Sequence, residues 1–249
     1  MTGKQNIKKT TIIIRAFFAR LQVQGLHSAA GWGLLACMSC VGCFSSSPEI
    51  RYYDFRPSFA GLNMEEKAGA DLGAVQLLEV RVPEPLDDRR IFYRSSRFEA
   101  GHYEYHRWIR SPSEALADEL VRFLAAANCF SQVAGPDDPL IPDAAKVRVW
   151  VDDLNEIDTT LETDDAHKDQ AWSAKVSFRI QIMRTAHDEG GPLRIEEEEP
   201  VRMRSAKGVA IAINTALNRA LSQSVAAIVE KCRSSAFRQE EQDASEPGR

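Results

Sequence analysis

Three of the five cysteines stand at three-residue intervals, Cys37, Cys40 and Cys43, inside residues 31–43 (GWGLLACMSCVGC). A C-x2-C-x2-C run can begin an iron–sulfur ligand set, but the completing C-x3-C-P is missing, and the surroundings are small and apolar. A second chemistry fits the stretch better. Residues 1–48 contain no Asp or Glu and carry Lys4, Lys8, Lys9, Arg15 and Arg20, followed by a short apolar stretch, Cys43 behind Val41 and Gly42, and then FSSSP. Small side chains ahead of a cysteine let a peptidase fit the backbone, and the freed thiol accepts a diacylglyceryl group. This is the pattern of a bacterial lipoprotein signal, with residues 1–42 as signal peptide, Cys43 as the lipidated residue and 43–50 as a Ser-rich tether. Cys37, behind Leu34, Leu35 and Ala36, is the alternative: it has the better residue three places upstream and poorer ones nearer. The apolar stretch falls short of the ~20 residues that span a bilayer as a helix. An acid-free leader with arginines also describes an organelle transit peptide. Ile12–Ile14 and Phe17–Phe18 lie far ahead of the cysteine, which fits a long basic region or a start further downstream.

Other residues with chemical potential fall away on inspection. His102 and His106 are four apart, a metal-binding interval on a helix, but GHYEYHRWI reads as a strand, where they stand ~13 Å apart by strand rise. Asp152, Asp153, Glu156, Asp158, Glu162, Asp164 and Asp165 form an acid-rich stretch without the glycine and terminal spacing of a calcium loop, so residues 152–169 read as a solvated loop. Walker-type, dinucleotide-binding and nucleophile-elbow patterns are absent. No catalytic residue, metal site or cofactor is expected.

The elements that would carry a site follow from periodicity. Residues 51–55, 74–82, 91–93 and 101–109 read as strands. Ser111 or Ser113 caps a helix running to about Asn128, with Pro112 at its entry and an apolar stripe from Leu116 to Ala127. Residues 146–151 and 171–183 alternate strictly, and the charged segment 193–203 pairs with the second of these. Glu196–Glu199 must alternate faces there, so at least one carboxylate points toward the helices or a partner. A long helix covers about 207–231, and residues 234–249 read as a charged, disordered tail. The expectation is an α+β fold of two layers over residues 51–233, a mostly antiparallel sheet with both helices on one face. Removing the five basic leader residues takes the net charge from −5 to −10, which gives no electrostatic footing for nucleic acid. Cys129 follows the first helix and Cys232 ends the last; antiparallel helices would keep them apart, parallel ones could bring them within bridging distance, and no bridge is expected.

One block points to a family. Tyr52, Tyr53, Asp54 and Phe55 open it; Val80, Arg81, Val82 and Pro83 lead to Leu86, Asp87 and Asp88 and then to Ile91, Phe92, Tyr93 and Arg94. Tyr103, Tyr105, Trp108, Ser111 and Pro112 precede Leu116 and Leu120, and Asn128, Cys129, Phe130 and Val133 complete the pattern. This resembles the ABC-type transport auxiliary lipoproteins, which include the PqiC lipoproteins that accompany lipid-transport systems carrying MCE domains. Phe55 stands where that family usually has Leu, and the 152–169 stretch is long for it. The resemblance implies a non-enzymatic lipoprotein, anchored in the outer membrane and facing the periplasm, that docks on the MCE-domain substrate-binding protein of an ABC transporter. Phe44, in place of the Asp that retains enteric lipoproteins in the inner membrane, agrees with that location. The alternative is a periplasmic lipid-binding module acting alone, with a lipid held between sheet and helices; lipid cargo and self-association stay open.

Overall fold

The computed structural model describes residues 48–59, 71–158, 172–184 and 191–245. In chain order the elements are β1 (Arg51–Tyr53), β2 (Ala74–Arg81), β3 (Arg90–Arg94), β4 (Ala100–Trp108) and α1 (Pro112–Ala126). They continue with β5 (Gln132–Ala134), β6 (Ala145–Asp158), β7 (Trp172–Met183), β8 (Leu193–Pro200) and α2 (Ala206–Ser245).

Strict alternation builds the centre. Val147, Val149, Val151 and Leu154 of β6, with Ala174, Val176, Phe178 and Ile180 of β7, are buried on one face. The two strands pair antiparallel along their whole length, with a register shift between Val151 and Asp153, and β8 pairs antiparallel with β7. The other edge of β6 is shared. Its first residues pair with β2, and Glu156 and Ile157 pair with Tyr93 and Arg94 of β3. Beyond β2 lies β5; beyond β3 lie β4 and then β1.

The fold class is α+β as the periodicity implied, and the sheet is mixed. The long ladders, β6–β7 and β7–β8, are antiparallel, as is β3–β4; β1–β4, β2–β5, β2–β6 and β3–β6 are parallel. Parallel pairing needs a long crossover, and α1 lies in the connection between β2 and β6.

Helix α1 presents Leu116, Leu120, Phe123 and Leu124 to the core. Asn128 then takes φ 49°, the left-handed turn that ends many helices. Helix α2 buries Val209, Ile213, Leu217, Leu221, Val225 and Ile228, and both helices join the sheet in one core. Ser205 opens α2, its hydroxyl accepting from the Gly208 N–H at 3.2 Å. A Cβ on Gly208 would lie 2.0 Å from the Met203 carbonyl oxygen, so only glycine fits this first turn. The helix extends to Ser245, where a disordered tail from 234 was expected. Residues 236–245 contain Ala, Arg, Gln and Glu, good helix formers that let the helix propagate once its packed half is in place.

The stretch expected to be an acidic loop from 152 is strand as far as Asp158. Opposite charges neutralise it locally: Asp152 pairs with Arg179 at 2.8 Å and Asp153 with Lys175 at 3.5 Å, both across the ladder on β7. Glu162, Asp164 and Asp165 lie outside the described residues.

Candidate functional site

Cys43 and the alternative Cys37 lie outside the described residues. What the structure shows is how the chain that follows them is fastened. Phe55 stacks on Trp108, ring centroids 4.2 Å apart and 23° from parallel, and both are buried. The Ile109 N–H donates to the Tyr53 carbonyl at 2.8 Å. Asn214 of α2 grips the next turn from both sides: its Oδ1 accepts from the Arg56 N–H (2.8 Å) and its Nδ2 donates to the Asp54 carbonyl (3.2 Å).

The block from Val80 to Val133 is built the same way. Pro112 at the start of α1 has no N–H to satisfy, and the next donor, Ser113 N–H, is taken by Asp87 Oδ1 at 2.8 Å. Asp87 Oδ2 accepts from the Ser113 hydroxyl at 2.9 Å. The local cap, Ser111, accepts from Glu114 N–H only at 3.5 Å, the outer limit of a hydrogen bond. A carboxylate 26 residues upstream therefore does most of the capping. Asp88 forms an ion pair with Arg90 at 2.6 Å, and the hydrogen bonds from that guanidinium hold its carboxyl down at a pKa of about 2.

Glu156 of β6 is a buried acid. Its Oε2 accepts from the Tyr103 hydroxyl at 2.7 Å and its Oε1 from the Trp172 indole N–H. Burial pushes the carboxyl upward, partly offset by these two donors, and the Tyr103 phenol is pushed up by burial and by the acid it faces. Arg204 lies 5.3 Å above the Trp172 ring. With no nucleophile in reach, the group is a polar joint locking β4 to β6 and β7. Sequence reasoning missed it, because residues 152–169 read as a solvated loop and both partners of Glu156 come from other strands.

His102 and His106 go to separate partners. A ring nitrogen of His102 lies 3.1 Å from the Pro85 carbonyl, and one of His106 lies 3.0 Å from the Tyr53 hydroxyl. Among the described residues no three His, Cys, Asp or Glu side chains gather as a metal site would require. The charged strand β8 is explained by α2. Arg219 donates from Nε to Glu197 (2.6 Å), from Nη1 to Glu199 (2.8 Å) and from Nη2 to the Glu198 carbonyl (2.8 Å). The carboxylates turned toward the helix are thus held by one guanidinium fork. Cys129 and Cys232 are both buried and stand as thiols. Arg184 donates to the Cys232 carbonyl (2.6 Å) and the Leu72 carbonyl (3.4 Å), and Leu72 N–H donates to the Cys129 carbonyl (3.0 Å), so one corner holds both.

Two clefts open on the surface. One, of about 470 Å³, lies between Asp54–Ser58 and the α2 residues Lys207, Ile211 and Asn218. The other, of about 560 Å³, opens where β6 has left β2 and not yet reached β3, with Arg81, Asp87, Trp150 and Arg179 around it. The second also includes Ser113, whose hydroxyl donates to Asp87 at 2.9 Å as part of the α1 cap. No helix among the described residues is long and apolar enough to cross a membrane.

Residues 61–229 match the family described as the ABC-type transport auxiliary lipoprotein component, and the chain belongs to that family. Among solved structures, protein XCC0632 from Xanthomonas campestris, of the DUF330 family, superposes with a TM-score of 0.59 at 15% identity, covering 75% of this chain and 99% of that one. At that identity the likeness establishes the fold. A putative lipoprotein from Caulobacter crescentus aligns at 12% identity and a TM-score of 0.28, over 53% of this chain and 85% of that one, and adds nothing to the fold assignment. No curated protein matches.

Proposed function

We propose that the mature protein is a non-enzymatic adaptor, tethered by a lipid on Cys43 to the periplasmic face of the outer membrane, that docks the MCE-domain component of an ABC-type lipid transporter. Residues 1–42 are its signal peptide, 43–50 its tether and residues from 51 its docking domain. The observation that carries the reading is where the family residues go. Tyr53, Asp87, Asp88 and Trp108 are all spent on fastening elements to one another, as expected of a scaffold whose surface, and not a catalytic centre, does the work. The lipid is handled by the assembly and not inside this domain. The space between helices and sheet bounded by Leu116, Phe178 and Leu221 is about 10 Å³, room for one water at most.

Two experiments test this. Affinity purification of the full-length protein from membranes in mild detergent should recover an MCE-domain protein; repeated recovery alone, under conditions that preserve such complexes, overturns the adaptor role. Metabolic labelling with a fatty-acid analogue should mark wild type and Cys37→Ala but not Cys43→Ala. Label lost in Cys37→Ala and kept in Cys43→Ala moves the anchor to Cys37, and label in none of the three removes the lipoprotein reading for this chain.

A further inference from the structure

The β3–β4 hairpin ends in a closed turn. Ser96 Oγ accepts from the N–H of Phe98 (3.2 Å) and of Glu99 (3.0 Å), and Ser95 N–H donates to the Glu99 carbonyl (3.1 Å). At its tip Phe98 is 95% exposed, the most exposed large apolar side chain described. A phenyl ring held in water by a hydrogen-bonded turn is unfavourable in proportion to its area, and nothing in the fold covers it. Arg94 and Arg97 flank it, both exposed.

The direction of the entering chain says what lies opposite. β1 runs parallel to β4, Arg51 opposite His106 and Tyr53 opposite Trp108. The chain therefore arrives at β1 from the side of the hairpin tip. Cys43 lies eight residues before Arg51, and Phe98 lies eight residues before His106. An extended chain covers at most ~3.3–3.6 Å per residue, so the tether reaches roughly 26–29 Å, which is the length of β4 back to the tip at a strand rise of ~3.3 Å. A chain of that reach is long enough for a lipid on Cys43 and the exposed phenyl ring to meet one bilayer.

We propose that the Phe98 tip is a second membrane contact: the ring enters the headgroup region of the bilayer that holds the Cys43 lipid, with Arg94 and Arg97 beside the phospholipid phosphates. The inference rests on lipidation at Cys43. A short lipid tether alone leaves the domain free to tumble; two contacts at one end of the sheet stand it upright. β3 runs parallel to β6, Tyr93 opposite Glu156, so the tip lies at the carboxyl end of β6. Leu140, ahead of Ala145 and 72% exposed, lies at the far end and points away from the membrane.

The test uses the full-length lipidated protein in vesicles of phosphatidylethanolamine and phosphatidylglycerol. A nitroxide is placed at Glu99→Cys, beside an intact Phe98, or at Leu140→Cys. Cys129 and Cys232 are 4% and 1% exposed, and the Cys43 thiol is consumed by the lipid, so labelling is selective. Collision of the label with oxygen and with a water-soluble nickel chelate is read by spin resonance, and acylation of Cys43 is read separately by mass. At position 99 oxygen should overtake nickel when vesicles are present and lose that lead with Phe98→Ser added; at position 140 nickel should dominate throughout. A water-exposed label at 99 on protein acylated at Cys43 overturns the membrane contact and leaves the lipid anchor standing. Absence of the acyl mass on Cys43 overturns the anchor, and with it the two-point contact.

Discussion

Replacing Asp87 by alanine strips α1 of its principal cap. The substitution loses a charge-assisted bond to the Ser113 N–H at 2.8 Å and a bond to the Ser113 hydroxyl at 2.9 Å, and it removes a negative charge from a helix amino terminus. A hydrogen bond to a charged group contributes about 1.5–3 kcal/mol net and a favourable charge at this end about 0.3–1 kcal/mol. Partial exposure of Asp87 argues for the lower end of that range, about 2 kcal/mol. Ser111→Ala gives up a 3.5 Å contact to the Glu114 N–H and a 3.3 Å contact to the Ser113 hydroxyl, both long, and should cost about 0.5 kcal/mol, the bottom of the usual capping range. For a domain of this size 1 kcal/mol moves Tm by roughly 2–4 °C, so Asp87→Ala should melt roughly 4–8 °C lower and Ser111→Ala within roughly 2 °C of wild type. Thermal and urea unfolding followed by circular dichroism read both. Ser113→Ala, which keeps the N–H, should cost about 1 kcal/mol, and the Asp87→Ala/Ser113→Ala pair should be non-additive by a similar amount. A cost for Ser111→Ala equal to or above that of Asp87→Ala, or strict additivity in the pair, would refute the remote cap.

Three further outcomes follow from named contacts. Burial raises the Glu156 pKa in the folded state, so its contribution is most favourable below the unfolded carboxylate value of ~4.3 and declines as pH rises through the raised one; Glu156→Gln should therefore lose less stability than wild type as pH rises above the unfolded value, and parallel Tm profiles would contradict this. Asp88 is held at about 2 by Arg90, so its contribution is complete above the unfolded value of ~3.9 and disappears as pH falls toward 2; Asp88→Asn should be destabilised at neutral pH by less than about 1 kcal/mol, with a gap in urea midpoint that closes in acid. Gly208→Ala drives a methyl group onto the Met203 carbonyl at 2.0 Å and should cost about 3 kcal/mol, whereas Gly191→Ala, with nothing within 4 Å, should leave the urea midpoint where it was.

How much of this was readable in advance depends on how local each cause is. Helix α1 could be bounded from sequence because Ser111, Pro112 and the stripe from Leu116 to Leu124 are contiguous signals. Strict alternation marked 146–151 and 171–183 as strands, and the charged segment 193–203 was legible as the partner of the second, as β8 is of β7. The acids at 152, 153 and 156 misled because their partners, Arg179 and Lys175 as cations and Tyr103 and Trp172 as hydrogen-bond donors, come from other strands. Parallel pairing of β2 with β6 was hidden for the same reason: it depends on where α1 delivers the chain, which no short window records. Glu196–Glu199 announced a buried carboxylate, but its partner Arg219 is twenty or more residues away on α2. The family block could be recognised as a pattern; that its Asp87 caps a helix became visible only in three dimensions.

The attachment of β1 has a mechanical consequence. A chain held at its amino-terminal end and gripped elsewhere by a partner transmits load through Arg51. Because β1 lies parallel to β4, with Arg51, Tyr52 and Tyr53 beside His106, Arg107 and Trp108, that load runs along the strand axis and strains the ladder in shear, all rungs together. A hairpin pulled at its open end would instead unzip rung by rung. Behind the ladder, Phe55 stacked on Trp108 and the two bonds of Asn214 act as a stopper. A three-residue edge strand that looks expendable is thus oriented to bear tension at the point where the domain joins its leash.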